Sequence, residues 1–277
     1  MADKFEAYEK ALSGIPSGLE GIIKVSGSSS MLGPLKAKEI DVSGSLSASG
    51  DAIAENLEVS GSAKIKGNLR VGNAEVSGSL LVEEDAYISV LESSGSTSVK
   101  GNLKGGDIEV NGSLFAGNLD VDVLDISGSV RVSGNLTGRI VESSGSCIVN
   151  GLIDAERLKV FGSMRARSCK GGIWELYGSF RVYENIEVDE LYVELYGDSE
   201  VDGVIKAKKV VVKLGKRRIG GLFGSFFSFF IERRKGRLRC KGIEADEVDI
   251  ENVDCEYVKA KKLDYKDCSI GRIHLEG

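Results

Sequence analysis

A Gly-Ser step recurs through most of this 277-residue chain at an almost constant interval. Its glycines are Gly27, Gly44, Gly61, Gly78, Gly95, Gly112, Gly128, Gly145, Gly162 and Gly178, with a degenerate copy at Gly197. The intervals are 17 or 16 residues and finally 19. A period of that length marks an architecture in which each repeat buries its apolar face against its neighbours, so the chain reads as one elongated solenoid and not as two globules.

Counting from the glycine puts apolar residues in register. Two places on stand Leu46, Ala63, Leu80, Leu114, Cys147, Met164 and Phe180, and four places on Ala48, Ile65, Val82, Val99, Val149, Val182 and Val201. Further columns hold Leu35, Leu69, Leu103 and Ile153, then Ala37, Val71 and Ile88, then Ile40, Leu57, Leu91 and Ile108, then Val42, Val59, Val76 and Val110. Within each short segment apolar and polar residues alternate, which is a strand period. Three such strands per turn predict an all-β, triangular parallel β-helix of about 17 residues per turn, with stacking between turns supplying its stability. The corners are rich in Gly, Asn and Asp, residues that tolerate positive φ. The two 16-residue turns, beginning at Gly112 and Gly162, are expected to drop one residue at a corner.

Residues 1–20 differ from the body. Phe5, Tyr8, Leu12 and Ile15 recur at helical spacing, with Asp3 and Glu6 as a capping pair and Gly14 and Pro16 as stops, so a short amphipathic helix is expected. It could cover the first coil, touch a partner or membrane, or form a disordered tail. The five Cys show no CxxC spacing. Cys147, Cys240, Cys255 and Cys268 fall in inward columns and read as buried small hydrophobes of a reducing compartment, whereas Cys169 fits no column. No signal-peptide pattern or spanning run is seen, so a cytoplasmic location is expected.

The repeat breaks after Gly215. Five of the nine Phe lie in the next segment, and from Lys213 to Lys241 ten Lys or Arg face one Glu, a net charge of +9. The rest of the chain carries 26 basic and 41 acidic residues, net −15. An acidic body (residues 21–215) thus bears a basic, Phe-rich insertion (residues 216–239). The 13 residues from Ile219 to Ile231 would span about 20 Å as a helix, too short for a hydrocarbon core of about 30 Å. They suit contact with an anionic membrane surface, where Lys216, Arg217, Arg218, Arg233, Arg234 and Lys235 supply charge and Leu222, Phe223, Phe226, Phe227, Phe229, Phe230 and Ile231 supply apolar burial. Packing against the body and docking to another protein are the alternatives. Nucleic acid is not expected as a partner, since the aromatics form one block and the body is acidic. From residue 240 to 277 apolar pairs recur every five residues, predicting 15-residue turns of the same solenoid.

Catalysis has little support. The only His, His274, alternates with Ile273 and Leu275 and should face outward, there is no phosphate loop, and no catalytic, metal or cofactor site is expected. The last rung, with Ile270, Ile273 and Leu275, is expected to be an open edge and hence a self-assembly surface.

The VSGS steps (Val42 to Ser45, Val59 to Ser62, Val76 to Ser79) and GNL steps (Gly67 to Leu69, Gly101 to Leu103, Gly134 to Leu136), held in register, resemble the bactofilins, a polymer-forming cytoskeletal family. The resemblance covers residues 22–214 and extends to 240–277. It implies a right-handed β-helix that polymerises end to end without nucleotide, as a scaffold at the inner face of the cell membrane, with itself and other cytoskeletal or envelope proteins as partners. The chain departs from that family in its length, in its internal basic insertion and in lacking a hydrophobic N-terminal peptide. A dimer through the C-terminal end, with the N-terminal helix over the other end, is the variant this suggests. Two further readings remain: an acidic protein-binding rod, whose C-terminal coil resembles pentapeptide-repeat proteins, and a polysaccharide-acting β-helix enzyme.

Overall fold

A computed structural model describes residues 18–215 and 236–276, and every regular element in them is a β-strand. The expected helix over residues 1–20 lies outside the described residues apart from its last three. All the strand pairs are parallel, and the chain forms two compact units: residues 1–157 with 165–167, and residues 158–164 with 168–277.

Each turn of the first unit has three sides. In the turn that starts at Gly44, strand Ser45–Ala48 forms the first side, and strand Ala52–Val59 bends to form the second and third. Leu46 and Ala48, Ala52 and Ala54, and Leu57 and Val59 point inward and are buried. The next turn repeats this 17 residues on, and one inward column runs Ile40, Leu57, Ala74, Leu91, Ile108, Leu124, Val141 in direct register. Full burial of such a Leu or Ile is worth about 1.5–3 kcal/mol, so the columns hold the solenoid together. Where two neighbours in the core compete for space, one is glycine: a Cβ on Gly105 would lie 2.8 Å from Ile108 Cδ1, and one on Gly138 2.9 Å from Val141 Cγ2.

The recurring glycine is required by close stacking and not by positive φ. Positive φ among the described glycines is confined to Gly18, Gly21, Gly33 and Gly171, none of them a Gly-Ser corner. The corners stack too closely for a side chain: a Cβ on Gly61, Gly78 or Gly95 would stand 2.0 Å from the carbonyl oxygen of the corner glycine one turn below. The second glycine of the repeat meets a different obstacle. A Cβ on Gly67, Gly101, Gly134 or Gly151 would fall 2.1 to 2.3 Å from Oδ1 of Asp51, Asp85, Asn118 or Asn135. Those oxygens accept hydrogen bonds from the backbone N–H groups of Asn68 (2.7 Å), Asn102 (2.7 Å), Asn135 (2.8 Å) and Leu152 (2.9 Å). The GNL step therefore has a physical meaning. Gly makes room for the side chain below, Asn passes the ladder to the turn above, and Leu enters the core.

The 16-residue turn at Gly112 drops its residue at this corner, between the partners of Val99 and Asn102, as expected. In the second unit Cys169 pairs with Ile186 and is buried in the same column as Ile205, Ile243 and Val258. It was expected to fit no column because Gly162 opens the other short turn, which advances every later position by one.

The C-terminal turns have the expected 15 residues, with Leu238 opposite Val253, Val248 opposite Leu263 and Ile250 opposite Tyr265. One residue is saved at the second corner, where the register shifts between Val201 and Val204. The other is saved where the Gly-Ser step gives way to a single left-handed residue, Asn252 (φ 63) or Asp267 (φ 53). Among the described non-glycine residues, positive φ thus occurs where the turn is tightened. Cys147 and Cys240 are buried as expected, and burial pushes the Cys147 thiol up to about 12. Cys255 and Cys268 are only half-buried, because they lie in the last turns, where fewer neighbours cover the inward face.

Candidate assembly and docking surfaces

The insertion enters and leaves at one corner. The N–H of Gly215 donates to Leu195 O at 3.0 Å, as Ser60 N–H donates to Val42 O one repeat after another in the first unit. Gly236 sits on the backbone of Gly197, where a Cβ would approach Gly197 O to 2.5 Å. Gly215 and Gly236 therefore hold consecutive positions of the repeat, and residues 216–235 are spliced between them. Around the root, Lys213 pairs with Asp249 (2.6 Å), Arg237 pairs with both oxygens of Asp254 (2.7 Å each), and the Arg237 N–H donates to Asp198 Oδ1 at 3.1 Å. Lys216, Arg217, Arg218, Leu222, Phe223, Phe226, Phe227, Phe229, Phe230, Ile231, Arg233, Arg234 and Lys235 lie outside the described residues. Leu238 and Arg239 begin the following strand, Leu238–Glu251.

The residue just before the corner glycine changes character toward this root. In the first unit it is Ser43, Ser60, Ser77, Ser94, Asn111, Ser127 and Ser144; in the second it is Phe161, Tyr177 and Tyr196. The rings of Phe161 and Tyr177 stack with centroids 4.9 Å apart and planes 13° from parallel. The Tyr196 ring lies against Gly215, where a Cβ would meet it at 2.7 Å. Phe161 is 52% exposed and Tyr196 48%. Carboxylates flank the strip: Tyr177 Oη donates to Glu175 (2.6 Å), Tyr196 Oη to Glu194 (2.9 Å) and, beside them, Tyr192 Oη to Glu190 (2.6 Å). These bonds stabilise the neutral phenols, and the Glu175 bond leads the rise of Tyr177 to about 12. The strip is legible in the outward positions of the repeat, which keep register as the inward ones do.

Three residues before the corner glycine, the first unit carries a second outward row. Asp41, Glu58, Glu75, Glu92, Glu109, Asp125 and Glu142 stand in direct register on successive turns. Like charges directly opposite one another are destabilising, so this row is held against a cost. Lys24 meets Asp41 at 3.5 Å at its first rung. Two rows of the second unit alternate in sign instead, Glu187, Lys206, Glu244, Lys259 and Glu190, Lys209, Glu247, Lys262.

Strand Ser269–Leu275 pairs along one edge with Val253–Lys266, and no other described strand pairs with it. Ile270 is half-buried, Ile273 is 42% exposed and Leu275 65% exposed. His274 is exposed, opposite Lys259. Among the described residues no helix is long and apolar enough to cross a membrane. No protein-family model, curated protein or solved structure matches the chain.

Proposed function

We propose that the protein is a non-enzymatic, bactofilin-like scaffold that self-assembles through the edge of its C-terminal strand. Residues 216–235 attach it to an anionic membrane surface at the inner face of the cell. The observation that carries the reading is strand Ser269–Leu275, whose apolar side chains Ile273 and Leu275 are exposed and whose second edge no other described strand pairs with, which is what a second copy would need to continue the sheet. The splice at Gly215 and Gly236 supports the second half, since it presents a basic, Phe-rich segment without interrupting the solenoid.

The carboxylate row favours a second reading, an acidic rod that binds basic partner proteins. Sedimentation without nucleotide separates the two. The full chain should form assemblies and co-sediment with phosphatidylglycerol-containing vesicles. Ile273→Lys with Leu275→Lys should abolish assembly alone, and deletion of Ile219 to Ile231 should abolish vesicle binding alone. A full chain that stays monomeric and ignores vesicles would leave only the acidic rod.

A further inference from the structure

The strip formed by Phe161, Tyr177 and Tyr196 occupies a position that the first unit fills with Ser or Asn. The fold does not need aromatics there, and the strip ends against Gly215, the residue from which the insertion departs. Its chemistry is mixed: the exposed Phe161 and Tyr196 lie among the carboxylates of Glu175, Glu190 and Glu194, three against the two cations beside them, Lys159 over the Phe161 ring and 4.0 Å from Glu175, and Lys209 in register with Glu190. That excess of carboxylate disfavours an anionic lipid surface. A segment carrying both phenyl rings and guanidinium groups satisfies both halves, through ring packing, cation–π contact and carboxylate pairing.

The chain contains one such segment. Residues 216–235 hold five Phe and six Lys or Arg. The strip covers two rung steps of about 4.8 Å each, and Phe223 and Phe230 lie within roughly 20–26 Å of extended chain from Gly215 and Gly236. Every phenyl of the segment can therefore reach the strip while both ends stay at their corner.

We propose that the strip of Phe161, Tyr177 and Tyr196 is the docking surface for residues 216–235 of the same chain. The strip and a membrane then compete for the same phenyl and guanidinium groups. Docking itself does not depend on membrane contact.

The test uses the full chain without lipid, with Phe227 replaced by the photo-crosslinker benzoylphenylalanine. Irradiation should give intramolecular cross-links to Phe161, Tyr177, Tyr196 or their immediate neighbours. Replacing the three aromatics with serine, the repeat's own residue at that position, should remove the cross-links and raise tryptic cleavage at Arg217, Arg218, Arg233 and Arg234 roughly tenfold, as loss of a tethered contact frees the segment. Cross-links mapping only elsewhere, cross-linked dimers, or an unchanged cleavage rate in the serine variant would each overturn the proposal. Should the triple variant fail to fold, the cross-link map of the otherwise unaltered chain and Tyr196→Ser alone decide it. Vesicle binding is measured in parallel, so loss of the membrane reading is seen separately from loss of the docking strip.

Discussion

Glu75→Lys should stabilise this protein. Glu75 stands in register between Glu58 and Glu92, in a row of seven carboxylates on successive turns. Two unit charges about 5 Å apart in water interact by about 0.8 kcal/mol, so two neighbours impose about 1.6 kcal/mol before screening, and a lysine turns that repulsion into attraction. Exposed pairs realise only about 0.2–1 kcal/mol each. The net gain at low salt should then be about 1–2 kcal/mol, with Glu75→Gln giving about half. Because the Debye length shrinks from about 30 Å at 0.01 M to about 3 Å at 1 M, the gain should fall below about 0.5 kcal/mol in 1 M NaCl. The assay is urea unfolding of the full chain at both salt concentrations. With a slope of about 3 kcal/mol/M, the midpoint should rise about 0.3–0.7 M at low salt. A lysine variant no more stable than the parent at low salt, or one whose gain survives 1 M NaCl, would refute the reasoning.

Two further outcomes test the fold and its electrostatics. Gly78→Ala should destabilise by about 3 kcal/mol or more, because the new methyl meets a backbone carbonyl at 2.0 Å. Gly27→Ala, at the same step but with no atom within 4 Å, should change stability by less than about 0.5 kcal/mol; equal effects in thermal or urea unfolding would exclude close stacking as the cause. Tyr177 should ionise near pH 12, held neutral chiefly by its bond to Glu175. Since the folded value is raised, its stabilisation is complete below about pH 10 and is lost as the pH climbs toward 12. Absorbance at 295 nm should show Glu175→Gln bringing this step back toward 10, and no movement would remove the carboxylate as the cause.

Much of the solenoid was legible because the inward positions obey one rule, apolar and in register. Leu57 or Ile108 could be placed from its distance to a glycine, and the 15-residue turns from the spacing of Val248, Val253 and Val258. Cys169 was missed because a fixed offset fails in a turn one residue short. The glycines were legible but their obstacle was not, since a sequence shows which residue is small without showing what it must avoid. The candidate surfaces were partly hidden for another reason. Glu75 or Tyr177 alone looks like an ordinary solvated side chain, and only stacking of the turns shows that seven carboxylates, or three rings, form a line. Ile273 and Leu275 were legible as apolar members of the five-residue alternation, and the structure shows them exposed.

Because Gly215 and Gly236 occupy successive positions, the solenoid does not count the twenty residues between them. The corner works as a socket: what is plugged into it can vary in length and chemistry while every turn on either side keeps its register. A solenoid with such a socket separates two demands, one set by stacking and one by whatever the inserted segment must touch. The corners at Ser60 and Ser77 make the same backbone hydrogen bond as Gly215, to Val42 O and Val59 O, so foreign segments grafted between Ser60 and Gly61, or between Ser77 and Gly78, should be carried on the surface at defined intervals along the axis of the first unit.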